Sequence, residues 1–124
     1  MIEQAQKMYE EATSLENNLE IISQQITELK ELEKNLQRLN KEKEKEMLAS
    51  FGKGIFIKTS LLDKELFVDV GVGVIVKKSI SQVNEVIEEQ TSRLMQMHEE
   101  SKERLSDLQG ELNIMLEKIN NKGE

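Results

Sequence analysis

Apolar residues recur at Ala5, Met8, Ala12, Leu15, Leu19, Ile22, Ile26 and Leu29, in steps that alternate between three and four. A mean repeat of 3.5 residues is the seam of a coiled coil, and it fixes how such a chain can fold: each helix has one narrow apolar stripe that a second helix must cover. Leu32, Leu36 and Leu39 continue the seam. After Leu29 they impose two consecutive steps of three, a stammer that overwinds the supercoil. The run "KEKEKE" at 41–46 sets like charges four residues apart, which reads as a solvated helix end prone to fraying.

A second seam runs through Ile80, Val83, Ile87, Gln90, Leu94, His98, Ser101, Leu105, Leu108, Leu112, Met115 and Ile119, with one irregular step at Leu94. Ser79 before it, with Gln82 three residues on, is a capping box. The arms are nearly equal, roughly 60 Å each at 1.5 Å per residue. Equal arms predict an antiparallel fold-back, with both termini at one tip, Met8 near Ile119 and Glu28 opposite His98.

Between the arms the helical period disappears. "MLASF", "IFIKTS", "ELFVDVG" and "GVIVKK" read as four short strands, with turns at Gly52-Lys53-Gly54 and around Gly71 and Gly73, and a connection at 62–64. Gly71 and Gly73 do not form a dinucleotide fingerprint, because the third glycine position holds Val76 and no helix starts within the motif. Leu66, Val68, Val70, Val72, Val74 and Val76 alternate with Phe67, Asp69, Gly71, Gly73, Ile75 and Lys77, as strand periodicity requires. Two isolated hairpins are marginal in water, so these apolar strands are expected to pair with strands of other subunits. The fold expected is α+β: a long antiparallel two-helix coiled coil with two small β-hairpins at one end. It forms a single domain, with helical arms at 1–46 and 79–122 and hairpins at 47–78.

Composition narrows the function. A net charge of −7 disfavours nucleic acid and anionic membranes. No stretch is apolar enough to span a bilayer and no signal peptide is evident, so a soluble, cytoplasmic protein is expected. There is no cysteine and one histidine, His98, which leaves neither a thiolate metal site nor a histidine cluster. His98 reads as a polar seam residue, and the glutamates are spread over helix faces without converging. No enzyme, metal or cofactor is expected.

The order helix, two hairpins, helix, with "GKGIFIKTSLLDKELFVDVGVGVIVKKS" in the middle, resembles the alpha class of prefoldin over nearly the whole chain. The residues that carry the resemblance are Gly52, Gly54, Phe56, Ile57, Lys58, Asp63, Val70, Gly71, Gly73 and Val74. The beta class has one hairpin, so four strands select alpha. Where alpha subunits commonly carry Val-Pro before the first glycine, this chain has Ser50-Phe51. The resemblance implies a hexamer of two alpha and four beta subunits whose hairpins form a β-barrel platform. It implies an ATP-independent holdase that grips unfolded polypeptide at its coiled-coil tips and delivers it to a group II chaperonin.

Candidate residues follow. The assembly strands comprise Phe51, Ile55, Phe56, Ile57, Leu66, Phe67, Val68, Val70, Val72, Val74 and Val76. The tips comprise Met1, Ile2, Met8, Tyr9, Leu112, Met115, Leu116 and Ile119. Met supplies an apolar surface that repacks cheaply around varied partners. Met8 and Met115 also satisfy the seam, whereas Ile2, Tyr9 and Leu116 stand off it and favour client contact. Gly110 reads either as a tolerated surface glycine or as a bend. The alternative function is structural: a coiled-coil homo-oligomer or filament that uses the same strands without transferring clients.

Overall fold

The computed structural model describes residues 1–41 and 46–122. The elements are α1 (Ile2–Lys41), β1 (Glu46–Gly52), β2 (Ile55–Ser60), β3 (Leu66–Asp69), β4 (Ile75–Lys78) and α2 (Ile80–Lys122). Two long helices with two antiparallel hairpins are therefore present, as the periodicities required. The expected fraying at 41–46 falls largely on residues 42–45, outside those described, and β1 already begins at Glu46. The chain divides into two compact units, Met1–Leu29 with Gln90–Glu124, and Lys30–Glu89.

The first unit is an antiparallel coiled coil. Ala5, Ala12, Ile22 and Leu108 are buried, and Leu108, at 1% exposure, is the most enclosed side chain. Burying a leucine stabilises by roughly 1.5–3 kcal/mol, and a two-helix seam has few such residues, so most of the remaining stability comes from repetition along its length. In heptad terms Ala5, Ala12, Leu19 and Ile26 occupy position a, and Met8, Leu15, Ile22 and Leu29 occupy position d. On α2, His98, Leu105, Leu112 and Ile119 are a, and Leu94, Ser101, Leu108 and Met115 are d.

Two seam assignments are corrected. Leu32 is 44% exposed while Glu33 is half-buried, and Gln90 is exposed while Thr91 is half-buried. A helix keeps its phase regardless of which neighbouring residue is more apolar, so the steps continue unbroken onto Glu33 and Thr91. The irregular step at Leu94 disappears, and the two consecutive threes move to residues 33, 36 and 39. Asn84, Thr91 and His98 consequently share one a column of α2. Asn84 Oδ1 and Thr91 Oγ1 are buried without a hydrogen-bond partner among the described residues. Polar groups at a weaken a seam but penalise other registers.

Gly110 lies within unbroken helix, and a Cβ there would meet nothing within 4 Å. It is a surface glycine and produces no break. Gly110→Ala should therefore stabilise the protein by about 1 kcal/mol, seen as a higher thermal midpoint in a circular-dichroism melt.

In the second unit, Leu36, Ile80 and Ile87 are buried. The capping box forms at the start of α2: Ser79 Oγ accepts from the Gln82 amide at 3.1 Å, and Gln82 Oε1 accepts from the Ser79 amide at 3.0 Å. Lys64 Nζ donates to the Asn40 carbonyl at 2.8 Å, which places a cation at the carbonyl-rich end of α1. Asp63 Oδ1 accepts from the Glu65 amide at 3.0 Å, an Asx turn that shapes the link between the hairpins.

The hairpins share a motif that the sequence reading did not detect. Ser50-Phe51-Gly52-Lys53-Gly54-Ile55-Phe56 and Asp69-Val70-Gly71-Val72-Gly73-Val74-Ile75 fold alike. Ser50 Oγ accepts from the Gly52 amide at 3.2 Å, as Asp69 Oδ1 accepts from the Gly71 amide at 2.9 Å. Both central turn residues have positive φ in each case, 50° and 77° at Lys53 and Gly54 and 50° and 75° at Val72 and Gly73. That is the signature of a type I′ turn, whose twist matches the strands it joins. Holding a β-branched Val72 there costs on the order of 1–2 kcal/mol.

Candidate functional site

Unpaired apolar side chains mark the candidate surfaces, because among the described residues no three histidine, cysteine, aspartate or glutamate groups converge on a metal position. No described helix is long and apolar enough to cross a membrane.

In the first unit, a two-fold axis across an antiparallel helix pair maps each flanking heptad position onto its namesake. Positions g of both helices therefore share one flank, and positions e share the other. Glu11 and Arg104, both g, confirm this with an ion pair of 3.3 Å. Both side chains are about half exposed, so the pair selects register more than it stabilises. Ile2, Tyr9 and Leu116 are all e and lie together on the opposite flank, at 66%, 65% and 45% exposure. Met8, Leu112, Met115 and Ile119 are half-buried seam residues, and Met1 is exposed. The expected tip residues thus divide into a seam group and an off-seam stripe.

Met8 shares an open groove with Met115, Ile114 and Lys118, and His98 lines another with Ser23, Ile26 and Thr27. Ile114, 57% exposed, was missed, since as a lone apolar residue at an outward position it leaves no periodic trace.

In the second unit, the first hairpin pairs Met47 with Thr59, Leu48 with Lys58, Ala49 with Ile57 and Ser50 with Phe56. The second pairs Leu66 with Lys78, Phe67 with Lys77, Val68 with Val76 and Asp69 with Ile75. Leu66 and Val68 are half-buried, whereas Phe67 is 65% exposed with Lys77 Nζ 5.6 Å from its ring centre. Phe51, Ile55, Phe56 and Ile57 are exposed, as are Met47, Leu48 and Ile75, which the sequence reading passed over. Val70, Val72 and Val74 lie outside the strands: the chain reverses at 71–74, with the Val74 amide donating to the Gly71 carbonyl at 3.0 Å. Alternation continued through these valines in sequence, but two glycines at positive φ end the strand.

The sequence matches the family model described as "Prefoldin subunit" over residues 8–124. The chain belongs to the prefoldin family. The fold agrees: the chain is similar to the filamentous PFD of Methanocaldococcus jannaschii, solved by cryo-electron microscopy, at a TM-score of 0.78 and 14% identity, over 94% of this chain and 98% of that one. No curated protein matches the sequence. In prefoldin terms, the first unit is coiled-coil arm and the second carries the hairpins. A chaperone role and assembly with other prefoldin subunits are what such a chain is built for.

Proposed function

We propose that this prefoldin is an alpha-class subunit of an ATP-independent holdase. The observation that carries the reading is the e-flank stripe of Ile2, Tyr9 and Leu116, apolar side chains kept in water beside a seam that does not use them. Such a surface suits unfolded segments of varied sequence, because each contact is weak and none demands a fixed geometry. Two hairpins favour the alpha class over the beta class, and their exposed faces call for partner strands. The partners are beta-class prefoldin subunits, in a cytoplasmic hexamer of two alpha and four beta chains with a shared β-barrel platform. Captured polypeptide passes to a group II chaperonin.

Mixing the chain with a beta-class subunit should give a hexamer by native mass spectrometry, and that hexamer should suppress aggregation of an unfolded protein equally with and without ATP. Suppression that required ATP hydrolysis would contradict the reading.

A second reading has its own support. The neighbour of similar fold is filamentous, and two hairpins with exposed apolar faces give one chain two separate surfaces for partner strands. It predicts long assemblies of this chain alone, with no client capture.

A further inference from the structure

The chain has six methionines and no cysteine, so thioethers are its only oxidisable sulfur. Met1, Met8 and Met115 line one open groove with Ile114. Met8 and Met115 are both half-buried d residues of the seam, so solvent reaches sulfur atoms on which the last layers of the coiled coil depend. Met95 and Met97 stand off the seam, 47% and 45% exposed, and Met47 lies on β1. The seam residues next inward, Ala12 on α1 and Leu112 then Leu108 on α2, contain no sulfur, and Ala12 and Leu108 are buried.

We propose that Met8 and Met115 form an oxidation site at which peroxides convert thioether to sulfoxide and loosen the terminal turns of both helices. The sulfur lone pair attacks one peroxide oxygen, the O–O bond breaks as the S–O bond forms, sulfur loses two electrons, and the remaining peroxide oxygen leaves as water. The sulfoxide is strongly polar. On the seam side of a d position the neighbours are apolar, so the sulfoxide oxygen is solvated only when the side chain turns out of the seam into the open groove. Fraying stops at the sulfur-free layers, and sulfoxide reductases reverse it. The inference rests on the coiled coil alone; if the holdase reading holds as well, capture falls with oxidation.

The test treats the full chain with dilute hydrogen peroxide, maps sulfoxides by peptide mass spectrometry, and follows thermal unfolding with no client present. Met8 and Met115 should be modified, and the midpoint should fall by about 5 °C. Reduction by methionine sulfoxide reductases A and B should restore it. Met8→Leu with Met115→Leu, which suits position d, should abolish the fall. Met95→Leu with Met97→Leu should preserve it. Amide exchange over residues 5–12, measured in the unmutated protein, should quicken after oxidation. The proposal is overturned if the Met8→Leu, Met115→Leu protein loses as much stability, if full oxidation of both residues leaves the midpoint and exchange unchanged, or if both resist oxidation while Met95 and Met97 react. Because no client is present, the midpoint shift does not depend on the holdase reading; the expected shift in a protein that, assayed separately, captures no client before or after oxidation would count against the holdase reading only.

Discussion

A protein carrying Phe56→Glu and Phe67→Glu should remain monomeric where the unmutated chain assembles, with its helical circular-dichroism signal intact. Phe56 and Phe67 sit on different hairpins and are 59% and 65% exposed in the single chain, so neither side chain supports the folded subunit from within. Covering each ring in an assembly contributes roughly 1.5–3 kcal/mol. A carboxylate in the same place costs at least as much to desolvate when a partner strand covers it. Glutamate is chosen over lysine because Phe67 pairs with Lys77, so the new carboxylate gains an opposite charge across the hairpin and spares its local pairing. Sedimentation would read the result, and normal assembly of the double variant would remove the strands from the account of assembly.

The second large effect is on capture. Ile2→Ser, Tyr9→Ser and Leu116→Ser together should leave assembly unchanged and weaken client binding about tenfold, or 1.4 kcal/mol, the sum of several partly covered apolar contacts. Each change alone should act modestly, since the binding is shared. The seam should not notice, because all three residues are exposed on its flank.

Much of this architecture was legible in the sequence because a coiled coil writes one face of each helix in apolar residues. Reading stumbled at two places: at Glu33 an apolar neighbour, Leu32, lay beside the true seam position, and at Thr91 the polar Gln90 was placed in the seam one residue early. Phase belongs to the whole helix, while a local pattern sees only a few neighbouring steps. Glycines located both turns, yet their equivalence was hidden, since Ser50 and Asp69 perform the same hydrogen bond with different chemistry and Lys53 and Val72 share only a backbone angle. The off-seam stripe was visible as residues out of phase. That Ile2, Tyr9 and Leu116 share a flank was not, because it depends on the antiparallel register that the Glu11–Arg104 pair reports.

The claim that clients bind the e flank is tested most directly by photo-crosslinking. A photoreactive residue placed at position 2, 9 or 116 of the assembled complex, and at 56 or 67 for comparison, would be irradiated with an unfolded protein bound. Crosslinks to client should form from 2, 9 and 116 and be lost when a competing unfolded chain is added. Crosslinks only from 56 and 67, with none from the flank, would contradict the account.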